Sequence, residues 1–219
     1  MKHAIVIGAT GMVGKQLIIQ LLDSTDYSKI TSLSRKKLHI FHHKFNEYII
    51  DFEELSNYTH LINGDVLFST LGTTKAKSKT KETQFKVDFH YQLQIAKLAN
   101  SNGIQSYVLV SSAGANSSSL NFYLRMKGQL EDEIRQLTFT NITILQPGQI
   151  DGKRNESRTM EKLALYIMYV LNTIGLLKKY RPIQAFQVAQ AMIQGANLNG
   201  TNIIALNQVI DLAKSGKTS

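Results

Sequence analysis

A serine pair, a tyrosine and a lysine occur at a spacing suited to proton transfer. Ser111 and Ser112 end an apolar run, and Tyr123 and Lys127 follow in the next predicted helix. Residues four positions apart share a helix face, so the ammonium can lie beside the phenol and favour the phenolate. A serine hydroxyl at the end of the preceding strand can hold a carbonyl oxygen. This set predicts acid–base catalysis on a carbonyl group.

A glycine-rich loop stands near the N-terminus, between a predicted strand and a predicted helix. Gly8, Gly11 and Gly14 have the spacing G-x-x-G-x-x-G. Glycine lets the backbone turn sharply and approach a pyrophosphate, while the helix N-terminus presents free N–H groups to the anion. We predict a dinucleotide-binding loop, and a glycine-rich turn without a ligand is the alternative.

The residues after the second predicted strand indicate which dinucleotide binds. An NAD site places an acid there to bond the ribose 2′-hydroxyl, whereas this chain has Arg35, Lys36 and Lys37. These cations attract a 2′-phosphate, so NADPH/NADP+ is the predicted cofactor and an ordinary basic loop is the alternative. Asp51 follows the third predicted strand, either as an acceptor for the adenine amino group or as a surface carboxylate.

Short apolar runs alternate with helical patterns along the chain, which is typical of βαβ units and a parallel sheet. The predicted strands are Ala4–Ile7, Ile30–Leu33, Tyr48–Ile50, Asp65–Ser69, Tyr107–Val110, Ile142–Leu145 and Asn202–Leu206. The predicted helices are Met12–Leu22, Gln84–Ala99, Phe122–Leu137, Met160–Thr173 and Gln184–Gln194. We therefore predict a doubly wound, Rossmann-like α/β fold. It forms one NAD(P)-binding domain over residues 1–219, with a sheet core at 1–150 and a small C-terminal lobe at 151–219.

Composition and charge narrow the function classes. The chain has 25 Lys and Arg against 16 Asp and Glu, a net charge of +9, and no cysteine. The lack of cysteine excludes disulfides, thiolate catalysis and Cys-ligated metals. The basic groups are dispersed and no nucleic-acid-binding motif accompanies them, so we expect a small-molecule partner rather than nucleic acid. The N-terminal apolar run is too short for a signal peptide, and we expect a cytoplasmic location.

Two further segments have more than one interpretation. Leu163–Leu177 is an apolar stretch of 15 residues, shorter than the roughly 20 that span a membrane. We predict a buried or pocket-lining helix; an interfacial membrane helix and the face of a homodimer are the alternatives. His39, His42 and His43 form an H-x-x-H-H cluster with Glu47 as the best additional ligand, and we predict exposed histidines rather than a metal site.

Several motifs match one family in order along most of the chain. They are GATGMVG (8–14), SRKKL (34–38), IIDFEEL (49–55), TLGTTKAK (70–77), VDFHY (87–91), VSSAGANSSSLNFYLRMKG (110–128) and QPGQIDGKRNESR (146–158). In these motifs the chain resembles the atypical short-chain dehydrogenase/reductases, and specifically their Tat-interacting-protein oxidoreductase-like group. The LGTT, YLxxKG and PGxxxxxRxESR segments are more specific to this group than the glycine loop, which all relatives share.

The resemblance implies roles for individual residues. The implied dinucleotide contacts are Thr10, Gly11, Met12 and Val13 in the loop, Arg35 and Lys36 at the 2′-phosphate, Leu71 and Gly72 beside the cofactor, Ile150 near the nicotinamide, and Arg158 at cofactor or substrate. The resemblance also implies that Tyr123 is the catalytic acid/base and that Lys127 bonds the nicotinamide ribose. Ser112 is the expected catalytic serine, and Ser111 is the alternative.

The chain departs from the family pattern at two positions. Gln146 stands where an arginine usually precedes the Pro-Gly pair, which removes a charge near the cofactor. Asp88 stands where the wider superfamily has a helix asparagine. We expect an NADPH-dependent oxidoreductase that reduces a small carbonyl group, and an NADP(H)-binding regulatory or scaffold protein with little turnover is the alternative.

Overall fold

A computed structural model describes residues 1–73, 78–151 and 182–216 of the chain. The strands are β1 (Lys2–Ile7), β2 (Tyr27–Ser34), β3 (Phe45–Ile49), β4 (Val66–Ser69), β5 (Ser106–Val110), β6 (Asn141–Gln146), β7 (Ile150–Asp151), β8 (Ile183–Gln184) and β9 (Gly200–Ala205). The α-helices are α1 (Met12–Asp23), α2 (Lys81–Phe85), α3 (Tyr91–Ser101), α4 (Phe122–Arg135), α5 (Ala185–Gly195) and α6 (Asn207–Ser215). A 3-10 helix (Leu55–Leu61) precedes β4, and a π-helical turn (Lys86–His90) joins α2 to α3.

Seven strands form one parallel sheet in the order β3-β2-β1-β4-β5-β6-β9. Ile7 at the end of β1 lies between Leu33 of β2 and Ser69 of β4. The strand order reverses direction at β1, because β2 and β3 extend to one side and β4 to the other. At such a switch point the loops leave a crevice at the carboxyl edge of the sheet. The predicted doubly wound, Rossmann-like α/β fold is confirmed.

Both faces of the sheet are covered, which explains the continuous apolar run in β1. Ile5 and Ile7 belong to one core cluster, while Ala4 and Val6 belong to the other, because successive side chains of a strand point to opposite faces. Helices α3 and α4 cover the first face, and α1, α5 and α6 cover the second. Strands buried on both sides read as unbroken apolar segments rather than as alternating ones.

The last described segment belongs to the same layers. Strand β9 pairs with β6, and α5 packs against α1. Strands β7 and β8 form a separate two-stranded parallel sheet. The division into a core at 1–150 and a lobe at 151–219 stays a prediction, although β9 contributes a strand from beyond residue 150 to the main sheet.

Most predicted elements are present with bounds shifted by one to three residues, and the last helix, Asn207–Ser215, was not predicted. Two of the differences bear on the site. The third strand is Phe45–Ile49 instead of Tyr48–Ile50. The helix predicted to begin at Gln84 begins at Lys81, where the Thr80 hydroxyl accepts a hydrogen bond from the Thr83 N–H at 3.1 Å. Residues 81–83 are exposed, so apolar periodicity carried no sign of this first turn.

Some predictions fall on residues that the structure does not describe. The predicted helix Met160–Thr173, the apolar stretch Leu163–Leu177 and Arg158 lie outside the described residues. Across residues 1–73, 78–151 and 182–216, no helix has the length and apolar character that crossing a membrane requires.

The tyrosine at the start of β2 provides a stability test. Tyr27 is buried against Phe68, and its hydroxyl has no hydrogen-bond partner among the described residues. We expect Tyr27→Phe to stabilise the protein by about 1 kcal/mol in urea unfolding, because it removes an unsatisfied buried polar group. Tyr91→Phe is the matched control: its hydroxyl donates to Glu53, so its removal should destabilise. A loss of stability in Tyr27→Phe would contradict this account.

Candidate functional site

Gly8 and Gly14 bring the loop after β1 against the end of β4. Gly8 has φ +78°, and a Cβ there would lie 2.4 Å from the backbone nitrogen of Leu71. A Cβ at Gly14 would lie 2.3 Å from the carbonyl oxygen of Gly8. Larger residues at either position would force the backbones apart, so these glycines are required for packing before any ligand is considered.

The N-terminus of α1 opens into the crevice and fits an anion. Gly11 caps the helix without a side-chain hydrogen bond, and the first turn contains no acidic residue. Thr10 and Gly11 are exposed, Met12 is partly exposed and Val13 is buried. The first N–H groups of a helix lack partners within the helix and carry the positive end of its dipole. The loop therefore has the donors and the open backbone that a pyrophosphate needs.

The end of β4 forms the opposite wall of this crevice. The Thr70 N–H and hydroxyl both donate to the carbonyl oxygen of Ile7, at 3.0 Å and 2.9 Å. Leu71 is buried, whereas Gly72 is exposed and a Cβ there would meet Asp88 Oδ1 only at 3.5 Å. The backbone beside Gly72 is thus open to a ligand.

The basic residues after β2 extend into solvent. Arg35 and Lys36 are exposed, and the Ser34 hydroxyl fixes their turn by donating to the Lys36 carbonyl oxygen at 2.6 Å. Neither side chain forms an ion pair within the described part of the chain. Both cations are therefore available to an anionic group that enters the crevice from this end.

Asp51 lies beyond the end of β3 on the same side. One of its carboxylate oxygens accepts a hydrogen bond from the Glu53 N–H at 2.9 Å, and the residue is exposed. Burial raises the pKa of Tyr91 to about 12; its hydrogen bond to Glu53 and the Asp51 charge act in the same direction, and Arg35 opposes them. Asp51 and Arg35 thus have opposite effects on the pKa of Tyr91.

The two serines after β5 have different partners. Ser111 is buried, and its hydroxyl donates to Glu131. Ser112 is partly exposed, and among the described residues its hydroxyl reaches only the Ala113 carbonyl oxygen, at 3.4 Å. The Ser111 hydroxyl already donates a hydrogen bond to Glu131, whereas the Ser112 hydroxyl is available to donate one to a ligand.

Tyr123 and Lys127 lie one turn apart near the start of α4. Asn121 fixes this helix start, since its side-chain oxygen accepts hydrogen bonds from the N–H groups of Tyr123 at 2.9 Å and Leu124 at 3.2 Å. Tyr123 is partly exposed, whereas Lys127 is 4% exposed. The two residues are four positions apart on α4, and Tyr123 is the more exposed of them.

Gly128, the last residue of the YLxxKG segment, ties the segment between Ser112 and Tyr123 to α4, a packing role that the sequence analysis did not assign to it. A Cβ at Gly128 would lie 2.2 Å from the backbone nitrogen of Ser117. The Arg125 guanidinium donates to the Ser119 carbonyl oxygen at 2.7 Å and so holds the same segment. A glycine inside a helix costs about 1 kcal/mol relative to alanine. A glycine inside a predicted helix, despite this cost, is therefore a sign in the sequence that the helix packs closely on another segment there.

Lys127 acts on two buried carboxyl groups, Asp88 and Glu131. Burial raises the pKa of Asp88. The opposing influences are Lys127, the Thr73 N–H, which donates to Oδ1 at 2.6 Å, and the Gln84 side chain. Burial also raises the pKa of Glu131, opposed by hydrogen bonds from Ser111 and Gln146 and by nearby cations that include Lys127. Sequence reasoning missed Glu131, although it lies four residues after Lys127 and so on the same helix face.

The predicted residues still to be placed are Ile150 and the histidine cluster. Ile150 is partly exposed in β7, opposite Ile183 of β8. His42 and His43 stack with ring centroids 4.4 Å apart, while the Glu47 carboxylate accepts a hydrogen bond from the Leu38 N–H. Within the described ranges no group of three His, Asp or Glu side chains could hold a metal ion.

A groove of about 620 Å³ lies along the outer side of the helical residues 81–94. Phe52, Tyr91 and Phe122 contribute aromatic rings to its lining, which includes neither Ser112 nor Tyr123. The groove shares Glu53 and Tyr91 with the region around Asp51, and it is separate from Ser112 and Tyr123.

A glycine loop at the switch point of a parallel sheet, followed by a helix N-terminus open to anions, defines a dinucleotide-binding protein with a Rossmann-like fold. Residues 8–166 match the family described as NAD(P)H-binding, and the chain belongs to this family.

Similar proteins support this membership. The chain is 33% identical over 199 residues to "Protein FMP52-1, mitochondrial" of Scheffersomyces stipitis, which covers 88% of this chain and 87% of the relative. It is 36% identical over 167 residues to "Protein HTATIP2" of Rattus norvegicus, and this match covers 74% of this chain and 69% of the relative. The resemblance to the Tat-interacting-protein group is confirmed.

The expected cytoplasmic location is wrong. The relatives from Scheffersomyces stipitis, Candida glabrata and Candida albicans are all named as mitochondrial proteins. The sequence argument considered only a secretory signal, whose h-region must be apolar. The lack of such a region says nothing about import into mitochondria.

Solved structures share the fold at low sequence identity. The UDP-N-acetylglucosamine 4-epimerase from Methanobrevibacter ruminantium has a TM-score of 0.72 and 14% identity, and covers 100% of this chain and 83% of its own. The enzyme WbmH of Bordetella bronchiseptica, in complex with NAD+, has a TM-score of 0.71 and 14% identity, and covers 94% and 75%.

The close approach at Gly128 reverses the usual effect of a glycine-to-alanine change in a helix. Propensity alone would make Gly128→Ala stabilising by about 1 kcal/mol. We expect it instead to destabilise by about 2 kcal/mol in urea unfolding, because the new Cβ meets the backbone of residues 116–117. Glu133→Ala, at an exposed position of the same helix, should change stability by less than about 0.5 kcal/mol. Stabilisation by Gly128→Ala would contradict the packing argument.

Proposed function

We propose that the protein is an NADPH-dependent oxidoreductase that reduces a small carbonyl substrate. The observation that carries this proposal is that Ser111 and Ser112 have different hydrogen-bond partners. With Ser111 bound to Glu131, the Ser112 hydroxyl is left beside the segment that leads to Tyr123 and Lys127. Together with the anion-binding loop, this supports a site for hydride transfer coupled to proton transfer.

The proposed cofactor site extends along the carboxyl edge of the sheet. Its residues are Gly8, Thr10, Gly11, Met12, Val13 and Gly14 at the pyrophosphate, Arg35 and Lys36 at the 2′-phosphate, Asp51 at the adenine, Leu71 and Gly72 at the end of β4, and Tyr123, Lys127 and Ile150 at the nicotinamide end. Arg158 is included from the sequence pattern alone. When bound, the dinucleotide supplies the hydride.

The side chains of this protein then handle the substrate oxygen and the proton. The Ser112 hydroxyl donates a hydrogen bond to the carbonyl oxygen and orients it. Tyr123 transfers its phenolic proton to the same oxygen as negative charge develops there. Lys127, one turn further along α4, stabilises the negative charge that remains on the tyrosine. The partly exposed phenol and the buried ammonium support this division of roles.

Cofactor selectivity provides the first test. By titration calorimetry we expect NADPH to bind more tightly than NADH, and Arg35→Glu to weaken NADPH binding by about tenfold or more, because a charged hydrogen bond is replaced by repulsion. Binding of NADH should change little. Lys29→Glu, at an exposed position near the other end of β2, is the matched control. Equal losses in both variants would mean that overall charge, not a 2′-phosphate site, controls affinity.

Turnover provides the second test. Oxidation of NADPH is followed by its absorbance across a panel of aldehydes and ketones. Tyr123→Phe should lower kcat by about 100-fold or more while NADPH still binds, because only the proton donor is removed. Tyr48→Phe, at an exposed position on β3, should retain the activity of the unmodified protein. Tight NADPH binding without turnover on any carbonyl would instead assign a regulatory role.

A further inference from the structure

Glu131 connects three elements beneath the candidate site. It is 5% exposed and lies on α4, four residues after Lys127. The Ser111 hydroxyl at the end of β5 donates to Oε1. The Gln146 amide at the end of β6 donates to Oε1 at 3.0 Å and to Oε2 at 2.9 Å. Both carboxylate oxygens are therefore held, and the ends of two neighbouring strands are fixed to the helix that carries Tyr123.

The charge of Glu131 has no direct ion pair. Its strand partners, Ser111 and Gln146, are both neutral, and the cations that face it are Lys127 and Arg135 of its own helix. Arg135 is already paired with Asp132, and the two ion pairs in the described part of the chain do not include Glu131. Arg135 has the larger effect on the pKa of Glu131, but Arg135 is half exposed and paired with Asp132, whereas Lys127 is the buried cation one helical turn before Glu131.

A second carboxyl group, Asp88, faces Lys127 from the π-helical turn. One of its oxygens, Oδ2, has no hydrogen-bond partner among the described residues, whereas both oxygens of Glu131 have donors. Hydrogen bonds to a carboxylate favour its charged form, and burial without them favours the protonated form. Of the two groups, Glu131 is the better suited to carry negative charge near neutral pH.

We propose that Glu131 is a positioning residue through which protons control cofactor affinity. Its ionised carboxylate fixes Ser111 and Gln146 and offsets the positive charge of Lys127; its protonation leaves that charge uncompensated and strengthens the attraction for an anionic dinucleotide. This inference rests on the proposed function, since it places the cofactor near Lys127. Burial raises the pKa of Glu131, which brings its protonation closer to the physiological range.

The test compares the affinity for NADP+ in the unmodified protein and in Glu131→Gln by calorimetry between about pH 5 and pH 8. The ratio of the two dissociation constants cancels the titration of the ligand's own phosphates. At pH 8 we expect Glu131→Gln to bind roughly threefold or more tightly, because a negative charge near Lys127 is gone. The ratio should fall toward one at low pH, where Glu131 of the unmodified protein takes up its proton. The glutamine retains an acceptor oxygen for Ser111.

Two matched variants make the result specific to Glu131. Glu133→Gln removes the same charge from an exposed position of α4. The ratio of its dissociation constant for NADP+ to that of the unmodified protein should stay near one at every pH. Asp88→Asn retains an acceptor for the Thr73 N–H and should not reproduce the pH-dependent ratio.

Gln146→Leu tests the proposal without changing Glu131 itself. Loss of the two amide hydrogen bonds raises the pKa of Glu131 further, so the change in affinity should move to higher pH.

The outcomes are distinguishable. A ratio near one at pH 8 in Glu131→Gln, or an unmoved transition in Gln146→Leu, overturns the role of Glu131 while the cofactor site stands. A pH-dependent ratio in Asp88→Asn and not in Glu131→Gln assigns the control to Asp88 and also overturns it. If the unmodified protein does not bind NADP+ at any pH, the proposed function fails first, and this inference fails with it.

Discussion

The backbone of the loop after β1 must pass the backbone at the end of β4 at a distance that leaves no room for a Cβ atom. Gly8 meets this constraint, since a Cβ there would lie 2.4 Å from the Leu71 backbone nitrogen; Gly14 packs as closely on the loop, since a Cβ there would lie 2.3 Å from the Gly8 carbonyl oxygen. Because the loop is held there, α1 begins at the switch point of the sheet and its free N–H groups face the crevice. Strand β1 pairs with β2 on one side and with β4 on the other. This pairing places the basic turn after β2 and the loop after β4 on either side of the glycine loop.

A second close approach positions the other half of the site. At Gly128 the segment after Ser112 lies directly on α4, and the Arg125 guanidinium closes over it. The serine at the strand end and the tyrosine and lysine on the helix are thus parts of one packed unit. Glu131 extends this unit to β6, so the geometry of the proposed reacting groups depends on a helix face that is mostly buried.

The sequence was sufficient for the fold, because the fold follows from local patterns, and the same kind of pattern is the basis of the candidate site, which stays a prediction. Apolar runs, glycine spacing and the Tyr123–Lys127 interval are visible within a few residues of one another. The choice between Ser111 and Ser112 was not accessible, since it depends on Glu131, which is distant along the chain and adjacent only after α4 packs on β5. The π-helical turn at Asp88 was likewise hidden, because it changes hydrogen bonding without changing the apolar pattern.

The strand order has a consequence for how the protein is made. Each strand of the main sheet joins at an outer edge of the strands that precede it in the chain, with β2 and β3 on one side of β1 and β4, β5, β6 and β9 on the other. A ribosome delivers the chain from its N-terminus, so each strand can add as it emerges, and no formed pair has to open to admit a later one. Helix α5, strand β9 and helix α6 emerge after the other strands and helices of the two main layers. The part of the second face that α5 and α6 cover beside α1 therefore stays open to solvent, and to chaperones, until these helices have been synthesised.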